Sequence, residues 1–318
     1  MDQEDLIGHL PDSIAARVKS ARMVKNRAVV VMDASGLSGS QRKDIEQAAT
    51  DILGALDDVG EVRVAMMGDR IRRRIVAIGS GKGGVGKSTL TTNLAVALQK
   101  MGHKVGIVDA DIYGPSQPKL LGNEGAKPEA EGEKLIPVPS KYGVPVLSMG
   151  FLVKPTPALA WRGPMAGNAL SQLIDAEWGD VDLLLVDLPP GTGDVQLSML
   201  QKHKPDGAVI VSTPQDLALI DAARAGQLFE AGDVPIIGLV ENMAGYQCPH
   251  CGELSDPFGK GGVERVAQGV DMPFLGRIPL ALPIREGGDA GVPPAAVEGE
   301  GGAAFGKIAQ EIASWLND

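Results

Sequence analysis

From about residue 73 onward, short apolar runs alternate with longer amphipathic stretches. The runs at 75–79, 105–108, 144–149, 183–186, 208–211, 236–240 and 274–278 have few polar interruptions. Strands covered on both faces have that character. Helical periodicity follows near 87–100, 164–176, 194–202, 216–230, 260–269 and 303–316. Strand–helix alternation predicts an α/β fold with a doubly wound, mostly parallel sheet. Ligands of such sheets lie beyond the carboxyl ends of the strands. Residues 122–141, rich in Pro, Gly and Glu, predict a mobile loop.

The first 70 residues differ. Residues 27–32 read as a strand and 38–56 as an amphipathic helix, with Ile45, Ala48, Ala49, Ile52 and Leu53 on one stripe. Residues 59–66 alternate as a half-buried strand. A β–α–β unit of this size buries little by itself. The expectation is a small α/β appendage over 1–70, then a main domain over 71–318. The arginine-rich run 70–74 marks the boundary and reads as a solvated linker edge.

The net charge of −10 disfavours nonspecific binding to nucleic acid or anionic membranes, so neither is expected as a partner. Asp2, Glu4 and Asp5 stand where a signal peptide would be basic, and no apolar stretch is long enough to span a bilayer. The expected location is cytoplasmic, with the two cysteines reduced. Glycine is enriched, at 42 of 318 residues, and clusters at sharp turns rather than in a repeat. This suits a backbone that approaches a ligand closely.

Residues Gly81-Lys82-Gly83-Gly84-Val85-Gly86-Lys87-Ser88 match G-x-x-x-x-G-K-[ST] between a strand and a helix. Glycines let backbone N–H groups curl around phosphate oxygens, and the helix aims its positive end at the same anion. Lys87 is expected to reach the β- and γ-phosphates and the Ser88 hydroxyl to ligate Mg²⁺. The chain therefore reads as a P-loop NTPase. Two strands supply carboxylates. One ends in Asp109-Ala110-Asp111, the other in Asp187 followed by Leu188-Pro189-Pro190-Gly191-Thr192-Gly193-Asp194. Asp187 fits a carboxylate that polarises a Mg²⁺-bound water. Asp109 is expected to support the site from behind, and either member of the pair could instead cap a helix or turn.

Both cysteines fall in Cys248-Pro249-His250-Cys251. Such a pair can be a redox couple, though the thioredoxin context is missing. It can be half of a zinc site, though there is no second pair. It can also be half of a site shared by two chains, whose four thiolates would complete one [4Fe–4S] cluster.

The segment Lys82 to Thr89 resembles the deviant P-loop of the MinD/ParA/nitrogenase-iron-protein superfamily. That resemblance implies a homodimer with ATP at its interface, bound by Gly81 through Thr89. Lys82 would then reach the partner's nucleotide, much as an arginine finger does. Four further segments extend the likeness: Asp109 to Ser116, Trp161-Arg162-Gly163-Pro164, Asp187 to Asp194, and Glu241-Asn242-Met243 leading to the cysteines. Together they resemble the Mrp/ApbC family of iron–sulfur cluster carrier ATPases from about residue 73 to the C terminus. The resemblance implies an ATP-hydrolysing homodimer that passes a cluster, bound by Cys248 and Cys251, to apo iron–sulfur proteins. It implies that Asp111 positions the attacking water and that Asn242 contacts adenine. The N-terminal region resembles, less closely, a domain appended to bacterial members, and the segment before its first strand looks degenerate.

A MinD/ParA-like positioning ATPase is the competing reading. It would call for a basic amphipathic tail. Phe305, Ile308, Ile312 and Trp315 instead predict a tail helix packed on the sheet. A nitrogenase-like reductase would carry widely separated cysteines.

Overall fold

The computed structural model describes residues 3–35, 37, 39–67, 72–152 and 163–317. It divides into two compact units, Met1–Arg72 and Arg73–Asp318.

The first unit holds α1 (Gln3–Gly8), α2 (Asp12–Ala15), β1 (Val18–Val24), β2 (Arg27–Asp33), α3 (Gly39–Gly54) and β3 (Glu61–Met67). The segment expected to be degenerate forms β1, which pairs antiparallel with β2, while β3 pairs parallel on the other side. Its signal is weak because Lys19, Ser20 and Arg22 face water and a register shift interrupts the alternation. The unit has its own core, with Leu6, Ala28, Val30, Met32, Ala49 and Leu53 fully buried. It therefore buries more than a bare β–α–β unit, because α1, α2 and the turn between them add Leu6, Leu10 and Ile14.

The second unit opens with β4 (Arg74–Gly79), α4 (Lys87–Lys100), β5 (Val105–Asp109), α5 (Gln117–Leu120), β6 (Glu129–Glu131), β7 (Lys134–Ile136) and β8 (Val146–Ser148). It continues through α6 (Met149–Leu152), α7 (Gly163–Ile174), β9 (Leu183–Asp187), α8 (Asp194–Lys202), β10 (Gly207–Ser212) and α9 (Asp216–Ala231). It ends with β11 (Ile236–Gln247), β12 (Leu254–Ser255), α10 (Gly262–Gly269), β13 (Phe274–Leu280), α11 (Leu282–Asp289), a 3₁₀ turn (Pro294–Ala296) and α12 (Glu300–Asn317). The main sheet runs β12-β11-β10-β4-β9-β5-β8, with β13 on β11. Its strand pairings are parallel except for β11 with β12. This is the doubly wound sheet that the alternation predicts, and β5, β9 and β10 are buried along their whole lengths.

Three expectations change. Residues 122–141 are not simply a loop: β6 and β7 form a hairpin, and Val138 bridges to Val146. The arginines at the boundary are not all solvated. Arg73 donates to the carbonyls of Val181 (3.1 Å) and Gly179 (3.2 Å), and Arg74 donates to that of Leu316. Arg70 lies outside the described residues, as do Trp161 and Arg162. The strand read as 236–240 runs to Gln247, which moves the cysteines beyond the sheet proper. In α12, Phe305, Ile308 and Ile312 are buried in the core against β13 and α4, so the apolar face of this helix is already used.

Candidate functional site

The parallel register gathers the site. Asp187 at the end of β9 pairs with Ile78 of β4 on one side and Asp109 of β5 on the other. The loop after β4 therefore faces two carboxylates whose positions no local pattern links.

That loop is set by backbone conformation. Gly84 (φ 78°) and Gly86 (φ 85°) lie in the left-handed region, and a Cβ on Gly86 would also collide with the Asn242 amide. The loop lines a cleft of about 240 Å³ together with Ser80, Asp111 and Pro190. Lys82 through Thr89 all border it. Gly81 sits behind, where a Cβ would strike the Asp221 backbone.

Lys87 is buried and its Nζ is bonded to Asp187 Oδ1. Thr91 Oγ1 donates to the same oxygen at 3.4 Å, and Gln117 Nε2 donates to Asp187 Oδ2 at 2.8 Å. Lys87 thus rests on the carboxylate rather than projecting into the cleft, because a buried ammonium needs a buried counter-charge. Asp109 is fully buried. Burial, and then the charge of Asp187, push its carboxyl well above the ordinary range, opposed by donors from Ser148, Gln117 and Asp111. Asp111 Oδ1 accepts from the N–H groups of Tyr113 (3.0 Å) and Gly114 (3.1 Å), so part of its carboxylate stabilises a turn while the residue lines the cleft. Lys82 is half-buried at the mouth, where its Nζ donates to Gln215 Oε1 of the same chain at 3.1 Å.

Asn242 donates through Nδ2 to the Val85 carbonyl at 2.7 Å, tying β11 to the phosphate loop. Next to it Met243 holds φ 59°, costly for a residue with a side chain. Both border a second cavity of about 500 Å³, continuous along Gly86 and Thr89 and walled by Pro279, Leu280 and Ile284.

Beyond Asn242, β11 folds back on β12 through Tyr246–Ser255 and Gln247–Leu254 pairs. The Cys248–Cys251 segment is the tip of that hairpin, closed by Cys248 N–H to Glu253 O and Gly252 N–H to Cys248 O, both 2.9 Å. Cys248 is half-buried and Cys251 exposed. Backbone N–H groups of Cys251 and then His250, with the Cys251 side chain, hold the Cys248 thiol below its ordinary value, which favours the metal-binding thiolate. Among the described residues no three His, Cys, Asp or Glu side chains gather as a metal site, so the two thiols stand alone within one chain.

Three side-chain roles escaped the sequence reading. Gln117 is fully buried, donates to Asp187 and to the Ser88 carbonyl (3.1 Å), and accepts from Thr92 Oγ1 at 2.6 Å. Nothing local marks it. Glu241, also fully buried, accepts from the N–H groups of Gly261 (3.2 Å) and Val263 (2.9 Å) and from Arg277 Nε (3.0 Å), so it caps α10. Its signal was a charge continuing an apolar strand. Gln196 lies on the buried face of α8 between Val195 and Met199, a polar residue within an apolar stripe.

Comparison with known proteins bears on this geometry. A family model described as "ParA: NUBPL iron-transfer P-loop NTPase" matches residues 71–314. An Arabidopsis thaliana mitochondrial protein described as an iron–sulfur protein required for NADH dehydrogenase is 50% identical over 242 residues, 75% of this chain and 76% of that one. A Methanocaldococcus jannaschii iron–sulfur cluster carrier protein is 44% identical over 247 residues, 76% and 84% of the two chains. Among solved structures, an Archaeoglobus fulgidus nucleotide-binding protein in complex with ADP is 42% identical with a TM-score of 0.60, over 69% of this chain and 86% of that one. The Pyrococcus furiosus cell division ATPase MinD is 26% identical with a TM-score of 0.57, over 76% and 99%.

Proposed function

The chain belongs to the NUBPL iron-transfer P-loop NTPase family, and from that premise we propose that it hydrolyses ATP as a homodimer and carries an iron–sulfur cluster to apoproteins. The observation that carries this reading is the hairpin tip. Two thiols, one lowered by backbone N–H groups, stand at this tip, and among the described residues no three His, Cys, Asp or Glu side chains gather as a metal site. A cubane cluster takes four thiolates, so two chains complete the set that one lacks. The cluster is cargo: it arrives, is held by Cys248 and Cys251 of both chains, and leaves.

The nucleotide side follows from residues already in place. A polyphosphate in the cleft competes with Asp187 for Lys87, and the loop N–H groups and the start of α4 supply the remaining attraction. The cavity beside Asn242 and Met243 offers room for the base. Asp187 keeps the Gln117 and Thr91 bonds when Lys87 turns to phosphate, so its orientation survives the exchange. Asp111, at the cleft wall, positions the attacking water, and Lys82 gives up Gln215 to reach the partner's nucleotide. The Ser88 hydroxyl, with Asp187 acting through water, suits Mg²⁺: Asp187, bonded to Lys87, stands beside the buried carboxylate of Asp109, and all the donors are hard oxygens. Bound there, Mg²⁺ would neutralise charge developing on the β- and γ-phosphates.

A positioning ATPase of the MinD type has the same sheet, but its reading needs a membrane-binding tail, and the apolar face of α12 is buried here. Among the described residues no helix is long and apolar enough to cross a membrane. Anaerobic loading with iron and sulfide, with iron analysis and sedimentation, tests the proposal. About four irons per dimer and a shift toward dimer are expected. Stoichiometric zinc with no cluster would overturn it.

A further inference from the structure

The segment after Asp187 is stitched at both sides. On one side the Gly191 N–H, at φ 86°, donates to the Ser80 carbonyl at 2.9 Å, joining it to the strand that enters the phosphate loop. On the other, a single amide grips it: Gln196 Nε2 donates to Pro189 O at 2.6 Å and to Gly191 O at 3.0 Å. Those are the carbonyls flanking Pro190, and Pro190 lines the phosphate cleft opposite the loop glycines. Gln196 is 3% exposed. Because Nε2 faces two carbonyls, the amide orientation is dictated and Oε1 is the free end. Among the described residues, that Oε1 is the one buried side-chain polar atom without a hydrogen-bond partner. A buried acceptor left unmet costs about 1–3 kcal/mol, and a native fold seldom tolerates one without a use for it. A Cβ placed on Gly193, farther along the segment, would stand 3.6 Å from this oxygen.

We propose that Gln196 is a positioning residue for nucleotide hydrolysis: it seats Pro190 as a wall of the phosphate cleft, and its unpartnered oxygen takes a backbone N–H from the 191–193 turn when that turn closes on a triphosphate. This rests on the hydrolysis reading above. The grip acts through the loop that begins at Asp187, so it governs the chemical step rather than ground-state binding. The glycines at 191 and 193 let the turn move, and Gln196 limits it to two bonded arrangements.

The test uses the full chain with Gln196→Glu, which keeps the shape but sets carboxylate oxygens against two carbonyls, and Gln196→Leu, which removes both grip and orphan. Thermal unfolding first establishes that each is folded; Gln196→Met replaces either one that is not. In both, kcat should fall at least about tenfold while ADP affinity stays within about threefold. The Gly191 amide should exchange with solvent about tenfold faster than in wild type without nucleotide. In wild type alone, a non-hydrolysable ATP analogue should slow exchange across 191–193. Folded variants with wild-type kcat, or with unchanged Gly191 exchange, overturn the grip. Wild type that neither binds nor hydrolyses ATP overturns the nucleotide reading, and the Gly191 exchange then still decides whether Gln196 holds the loop.

Discussion

Lys87 is 6% exposed and bonded to a carboxylate that is fully buried, whereas Cys251 stands exposed at the tip of a two-stranded hairpin. Both follow strands of the same sheet, one beyond β4 and the other beyond β11. The phosphate site is assembled within one chain, from three strand ends and two helices, and Lys87 is paired with Asp187 before any ligand arrives. In the proposed carrier the cysteine site is a fragment, with two donors where a cluster needs four. On that reading the difference separates what depends on folding alone from what depends on a second chain. Damage to the first should disturb stability and chemistry together. Damage to the second should remove cargo and leave the fold untouched.

The sharpest test is at the cysteines. Cys248→Ala or Cys251→Ala should take bound iron from about four per dimer to near zero, with nucleotide affinity unchanged by calorimetry. Variants that load like wild type would make the pair structural. Next comes Lys87→Met, which strands the buried Asp187 charge. Denaturant unfolding should show a loss of roughly 3–5 kcal/mol, largely recovered in the Lys87→Met/Asp187→Asn double variant. A double variant less stable than the single would mean that Asp187 is not held by Lys87. Smaller in free energy is the chemical step: Ser88→Ala and Asp187→Asn should each slow hydrolysis at least about tenfold, about 1.4 kcal/mol of barrier. Normal turnover at limiting Mg²⁺ would remove that residue from the site.

Lys82 probes whether the self-contained site borrows one group across the dimer. Lys82→Ala should bind ATP and fail to hydrolyse it, and mixing with Lys87→Ala chains should restore part of the turnover through hybrid sites. Heterodimers confirmed by mass spectrometry that stay inactive would confine Lys82 to its own chain. The smallest effect is in pH. Burial and the neighbouring Asp187 raise the Asp109 carboxyl from 3.8 to about 7. A raised folded value means the native state holds an extra proton between those limits, so this contribution is present below the lower limit and lost as pH rises through the upper one. Asp109→Asn should flatten that part of the stability–pH curve. An unchanged slope would show that Asp109 titrates normally.

Much of the architecture was legible because its signals are local. Continuous apolar runs announce strands covered on both faces, and β5, β9 and β10 are such strands. The strand β1 was not legible, since Lys19 and Ser20 on its wet side sit at a register shift. The β6–β7 hairpin hid among loop-forming residues because strands of three residues carry too short a pattern. Gln196 left a trace, a polar residue in an apolar helical stripe, but its use depends on the 189–191 carbonyls reaching it.

The sequence by itself determined the phosphate loop and the cysteine pair, because a turn of glycines with positive φ, a helix start and a C-x-x-C tip are specified within a handful of residues. The tertiary structure alone decided that Asp109 and Asp187 stand side by side, that Lys87 lies on Asp187 from 100 residues away, and that Gln117 steadies the same carboxylate from 70 residues away. It alone lifted the cysteines clear of the sheet by running β11 on to Gln247. The physical reason is range: local conformation follows from nearby side chains, whereas the meeting of buried charges depends on strand register, which is set by the packing of the whole sheet.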